Sequence, residues 1–114
     1  MAITKTTKQG WEEYFIAGSI IDVQKDGTET VVLATSTIEA IDNEGNDALA
    51  TIVDVATKKL DDDPNGNSSD NMLSVKCKGG AEAASPYIVT FKMVTTEGQK
   101  WETEMKVVIK EIVS

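Results

Sequence analysis

From Ser85 to Val113 the chain reads SPYIVTFKMVTTEGQKWETEMKVVIKEIV, and this stretch constrains the fold more than any other. Tyr87, Val89, Phe91, Met93 and Thr95 alternate with Ile88, Thr90, Lys92 and Val94. After a turn, Trp101, Thr103, Met105, Val107 and Ile109 alternate with Lys100, Glu102, Glu104, Lys106 and Lys110. A period of two over this length predicts two half-buried strands joined as a hairpin. Its register follows from the faces. A loop of Glu97-Gly98 alone would set Phe91 against Glu104 and Lys92 against Thr103, apolar against charged. A slip of one residue turns every side chain to the opposite face, so only one parity buries the apolar set. A loop of Thr96-Glu97-Gly98 sets Met93 opposite Trp101, Phe91 opposite Thr103, Val89 opposite Met105 and Tyr87 opposite Val107. It also places Lys92 across from Glu102, a favourable cross-strand pair. Gly98 then falls where such loops turn left-handed, which costs glycine nothing.

Other segments carry the same type of pattern. Trp11 to Val23 is β-branched and aromatic and predicts a first strand, kinked near Gly18. Lys25-Asp26-Gly27-Thr28 is a turn. Thr30 to Ile41 predicts a second long strand, followed by a polar turn over Asp42-Asn43-Glu44-Gly45-Asn46-Asp47. Ala48 to Thr57 is read as a strand on its β-branched Thr51, Ile52, Val53 and Val55, although its alanines also permit a helix. Lys59 to Asn71 is an acidic loop. Met72 to Lys78 predicts a short strand with Leu73, Val75 and Cys77 inward. Gly79-Gly80 leads through small residues to the hairpin, where Pro86 stands at a strand start. With no convincing amphipathic helix and no internal repeat, the chain is expected to be all-β, a sandwich of about six to seven strands.

At 114 residues the chain forms one domain able to bury a core without staples. Residues 1–10, MAITKTTKQG, are polar and carry Lys5 and Lys8 with no acid, so they predict a flexible N-terminal arm. Residues 11–114 are the folded domain. The formal net charge is −8, and there is no arginine or histidine. That excludes a phosphate-backbone partner, which needs clustered cations, so no nucleic acid is expected. No stretch approaches the length of a membrane span and no leader-type apolar run opens the chain, so neither a membrane nor export is expected. The expected location is the cytoplasm or an assembly built there.

Chemistry is sparse. Without histidine there is no Ser/His/Asp or Cys/His arrangement, and the single Cys77 reads as a small buried hydrophobe. Glu12-Glu13 and Glu102/Glu104 read as solvated faces rather than acid–base pairs. The sharpest motif is Asp61-Asp62-Asp63-Pro64-Asn65-Gly66, the opening half of a calcium loop, with oxygen ligands at alternate places. The candidate calcium ligands are Asp61, Asp63, Asn65 and Asp70. Met72 occupies the place of the closing bidentate glutamate, Pro64 fits the loop poorly and no flanking helices are predicted. The motif is therefore read as an acidic turn, with no cofactor. Trp11 and Trp101 could stack on a sugar. Trp101 is read as core, and Trp11 as the more exposed of the two.

One ordered set of motifs remains. Ala17-Gly18-Ser19-Ile20 is followed by Ser36-Thr37-Ile38-Glu39-Ala40-Ile41-Asp42-Asn43-Glu44-Gly45-Asn46-Asp47, then by Gly79-Gly80. Ser85-Pro86-Tyr87-Ile88-Val89-Thr90-Phe91-Lys92, Thr95-Thr96-Glu97-Gly98 and Trp101-Glu102 close the series. Taken in this order, over about residues 10–112, the chain resembles a family of small immunoglobulin-like proteins encoded in tailed bacteriophages and prophages; the acidic insertion before Met72 departs from it. The resemblance implies an immunoglobulin-like antiparallel β-sandwich. It also implies a non-enzymatic virion or virion-assembly component of the head–tail or tail region, with no catalytic residues. Its partners would be other virion proteins and itself as a homo-oligomer. Its place would be the virion, or the host cytoplasm before assembly. The first strand with its basic arm is the expected assembling edge. The alternative is a calcium- or carbohydrate-binding module of a bacterial surface protein.

Overall fold

The hairpin that dominates the sequence is also the centre of the larger sheet. A computed structural model of the chain describes residues 3–20, 29–65 and 69–111. Strands β6 (Tyr87–Val94) and β7 (Lys100–Ile109) pair antiparallel, with Met93 opposite Trp101, Phe91 opposite Thr103, Val89 opposite Met105 and Tyr87 opposite Val107. This is the expected register. The Thr95 N–H donates to the Gln99 carbonyl at 2.9 Å, and the Gly98 N–H to the Thr95 carbonyl at 2.9 Å. The loop is therefore Thr96-Glu97-Gly98, and Gly98 has φ +81°. Tyr87, Val89, Phe91 and Met93 are buried, and so are Val107 and Ile109 across from that face.

Two sheets pack face to face as a sandwich. The first has the order β1-β7-β6-β3, with β1 at Ile3–Lys8 and β3 at Thr37–Ile41. The second has the order β2-β5-β4, from Tyr14–Ser19, Met72–Cys77 and Val53–Asp61. All pairings are antiparallel except β1 with β7, which run parallel. Between the sheets lie Ile16, Ile20, Leu73, Val75 and Cys77 from one side and Ile38, Val89, Phe91, Val107 and Ile109 from the other. Fully burying a side chain the size of Leu or Phe stabilises the fold by about 1.5–3 kcal/mol. Cys77 is buried as its alternation predicts, and burial pushes its thiol pKa up to about 11, against a smaller opposing effect of Lys8.

Four expectations are corrected. The arm over residues 1–10 contains β1, and Lys8 is buried, its Nζ donating to the carbonyls of Gln9 at 2.7 Å and Gly79 at 2.5 Å. The expected first strand, Trp11–Val23, narrows to β2, with residues 21–23 outside the described ones. Gly18 makes no kink: the register with β5 is unbroken from Tyr14 to Ser19. Glycine is needed there for a different reason, because a Cβ would stand 2.5 Å from Thr103 Oγ1 and 2.9 Å from Phe91 Cβ on the facing sheet.

The long strand expected over Thr30–Ile41 is strand only in β3. Val31 makes a single bridge to Thr95, and Leu33–Thr35 form a 3-10 turn. The buried Ser36 accounts for the break: its Oγ accepts the Val94 N–H at 3.0 Å, taking a ladder position from the backbone. Finally, Leu49–Ile52 form one helical turn, α1, before β4 begins at Val53. Asp47 Oδ1 accepts the Leu49 N–H at 3.1 Å, and the Ala48 carbonyl accepts from Thr51 and Ile52, each at 3.0 Å. This local capping outweighs the β-branched residues, and Ile52 is buried in the core as a result.

A candidate interaction edge

A two-sheet sandwich leaves four strand edges, and an open edge is a template for another chain. Three of the four are guarded. Beside β3, the Ala48 N–H donates to the Ala40 carbonyl at 2.9 Å and Asp47 bridges to Ile41. At the other end of that strand Lys58 Nζ donates to the Ser36 carbonyl at 2.7 Å. The edge of β4 is broken by a bulge between Asp54 and Lys59. Within the bulge Thr57 Oγ1 donates to the Asp54 carbonyl at 2.6 Å and accepts the Lys76 N–H at 2.8 Å. Strand β1 carries Lys5 and Lys8, and the Tyr14 hydroxyl donates to its Thr7 carbonyl at 3.3 Å.

The fourth edge, β2, reads Tyr-Phe-Ile-Ala-Gly-Ser, with no proline, charge or bulge between Tyr14 and Ser19, and Ser19 has a partner of its own. The Ile20 N–H donates to the Asn71 carbonyl at 3.0 Å, on the β5 side. Antiparallel pairing alternates, so Gly18, Ile16 and Tyr14 also direct their backbone groups to β5. Phe15 and Ala17 therefore present theirs outward, and among the described residues no strand lies beyond them. Phe15 is 45% exposed, and Trp11, in the turn that enters β2, is 80% exposed. Lys59 Nζ lies 4.3 Å from the centre of the Phe15 ring. Exposed cation–π contacts of this sort contribute about 0.5–1 kcal/mol. Glu13 and Lys76 stand 4.0 Å apart at the same end of the strand.

The other sequence candidates are placed as follows. Asp61 ends β4, and its Oδ1 accepts the Asp62 N–H at 2.9 Å. Asp63 Oδ1 accepts the Asn65 N–H at 2.9 Å, and Asp62 Oδ1 the Asp70 N–H at 2.8 Å. These carboxylates accept backbone N–H groups of the same segment. Among the described residues no three His, Cys, Asp or Glu side chains converge as a metal would require. Glu102 lies on the outer face of its sheet, where Lys92 Nζ meets Glu39 at 2.7 Å and Glu102 at 3.7 Å. Hydrogen bonding to Glu39, and then its charge, raises the Lys92 pKa. Trp101 is half-buried and lines an open groove of about 470 Å³ with Thr35, Thr37, Lys92, Lys100 and Glu102.

Two buried ionisable residues went unread in the sequence. Lys8 sits at an inward position of β1, and its short Thr/Lys alternation is the only signal that could have found it. Glu29 is 3% exposed; its carboxylate accepts from Thr95 Oγ1 and, at 2.8 Å, from Gln99 Nε2, bracing the β6–β7 turn. Nothing in the Thr-Glu-Thr stretch around it signals that role.

Compared with protein-family models and with curated proteins, the chain matches none.

Proposed function

We propose that this chain is a non-enzymatic structural or adaptor component of a phage or prophage particle, acting through protein–protein contacts. The observation that carries the interaction reading is the β2 edge, beyond which no strand lies among the described residues, flanked by the exposed Trp11 and Phe15. The strand order β1-β7-β6-β3 over β2-β5-β4, with its one parallel pair at the edge, supports the immunoglobulin-like reading, and with it the resemblance to phage proteins. Rigid sandwiches of this type display edges and loop tips to partners. A role without catalysis suits the side chains. The buried thiol of Cys77, held up to about 11, is no nucleophile, and Glu102 faces solvent beside Lys92. The partners in this reading are other virion proteins, and the place is the virion or the host cytoplasm before assembly. Proteomics and immunogold labelling of gradient-purified particles, induced from a host carrying the gene, test it. The chain should band with particles and label one position; its absence from particles and from assembly intermediates would refute the proposal.

The groove beside Trp101 favours a second reading, a carbohydrate-binding module of a bacterial surface protein. Aromatic stacking beside hydroxyl and charged groups suits a sugar. Quenching of Trp101 fluorescence by soluble oligosaccharides, lost in Trp101→Leu, would favour that reading over the first.

A further inference from the structure

We infer that β1 is an exchangeable strand: two copies of this chain associate by each docking its β1 on the β7 edge of the other. This rests on the reading of the chain as an assembly component, and it names the partner and the surface. Lys5, Thr6, Thr7 and Lys8 bring no apolar side chain to the core. Only Lys8 among these four is buried. Its Nζ donates to the carbonyls of Gln9 at 2.7 Å, Gly10 at 3.4 Å and Gly79 at 2.5 Å, and it forms no ion pair among the described residues. An ammonium buried without an anion is a costly anchor. Lys5 stands opposite Lys106 in the ladder, and like charges so placed oppose the pairing. What holds β1 is the parallel ladder with β7, a 2.7 Å hydrogen bond between the Thr6 and Tyr14 hydroxyls, and the Lys110 N–H donating to the Lys8 carbonyl at 2.9 Å. A second copy offers β1 the same β7, Gly79 and Tyr14.

The hinge decides between the closed and exchanged forms, because both share the contacts of β1 itself. β1 and β2 belong to different sheets, and residues 9–13 carry the chain from one to the other. In the closed chain this hinge is a tight turn. The Glu12 N–H donates to the Gln9 carbonyl at 3.2 Å, and the Gln9 N–H to Glu12 Oε1 at 2.5 Å. The turn leaves Trp11 80% exposed. In an exchanged pair the two hinges extend and run antiparallel past each other. Centred on Trp11, that pairing brings the two indoles together and covers them. It sets Glu13 of one hinge against Gln9 of the other, so acid does not face acid. The net charge of −8 on each chain opposes association at a distance. Exchange therefore belongs to concentrated or assembled chains, where a short hinge favours it.

The test uses the full chain and traps exchange by disulfide formation. One variant carries Lys5→Cys and the other Lys106→Cys, the exposed register partners of β1 and β7, each with Cys77→Ala so that only the introduced thiol can link. The two are mixed at concentrations from about 1 µM to about 1 mM, the range that brackets the effective concentration of a short tether, and then oxidised. Mass spectrometry and non-reducing gels read the products. The mixed disulfide dimer should exceed either like-with-like dimer about tenfold, and its share should rise with concentration. Sedimentation of the natural chain should show a dimer over the upper part of the same range. A Gly-Ser-Gly-Ser insert between Gly10 and Trp11 relaxes the hinge and should weaken that dimer about tenfold. Sedimentation keeps the test decisive if a cysteine variant fails to fold. A natural chain that is monomeric throughout overturns the inference, as does a dimer that the hinge insert leaves unchanged. Mixed disulfides no more abundant than like-with-like ones overturn it too. These readouts use purified chains, so they succeed or fail separately from the search for the chain in particles.

Discussion

Gly18 has no room for a side chain, because a Cβ there would press on Thr103 and Phe91 of the facing sheet at 2.5 and 2.9 Å. Gly18→Ala is therefore expected to destabilise by about 1–3 kcal/mol, the usual penalty for overpacking. A lowered urea midpoint with an unchanged slope is the result to look for. Cys77 gives a pH-dependent expectation. Its thiol loses its proton near 9.0 in the unfolded chain and near 11 in the folded one. Below pH 9 both states keep the proton, and the contribution is complete. Between 9 and 11 the unfolded state ionises first, so stability falls as pH rises. The loss attributable to the thiol is at most about 3 kcal/mol. Urea melts across that range should fall more steeply for the natural chain than for Cys77→Ala; parallel curves would contradict the assignment. The burial of Cys77 was legible from Leu73-Ser74-Val75-Lys76-Cys77 alone, because alternation is local. The glycine at position 18 was read as a kink, which the unbroken β2–β5 register does not have; the need for it was not legible. The atoms that demand it lie on β6 and β7, far along the chain.

At the scale of elements, the β6–β7 hairpin was readable down to its register. Loop length and face parity together leave one pairing that buries Phe91 and Met93 and sets Lys92 beside Glu102. Gly98→Ala tests the loop separately from packing. Nothing lies within 4 Å of a Cβ there, so the expected cost of about 1–2 kcal/mol is purely that of φ +81°. Chemical denaturation should show that loss; no change would mean that the loop had moved to another conformation. The segment 48–57 was harder because two local signals conflict. Val53 and Val55 favour strand, while Asp47 and Ala48 cap a helical turn, and the chain uses both in succession. The bulge in β4 is equally silent in the sequence, since Thr57 reads as an ordinary strand residue until its hydroxyl is seen to replace ladder bonds. Strand β1 is polar and threonine-rich and resembles a tail. Its partner β7, not its composition, makes it a strand.

For the whole molecule, the acidic loop offers a simple measurement. Its carboxylates Asp61, Asp62 and Asp63 accept backbone N–H groups of the loop itself. Thermal melts in millimolar calcium and in chelator are expected to coincide. A calcium-dependent rise would restore Asp61, Asp63, Asn65 and Asp70 as ligands. Which strands stand at the sheet edges was only partly legible. The expected assembling edge was the first strand with its basic arm, yet the arm's β1 and the strand β2 lie in different sheets. Only the pairing of all seven strands decides that.

Sequence alone determined the all-β sandwich, the inward face of each clear strand and the register of the final hairpin. Those follow from side-chain alternation and turn chemistry, which act between residues close in the chain. Tertiary structure decided the parallel docking of β1, the one-turn helix ahead of β4, the burial of Lys8 and Glu29 and which strands stand at the sheet edges. Those depend on contacts between residues such as Lys8 and Gly79, or Glu29 and Gln99, that only the folded sandwich brings together.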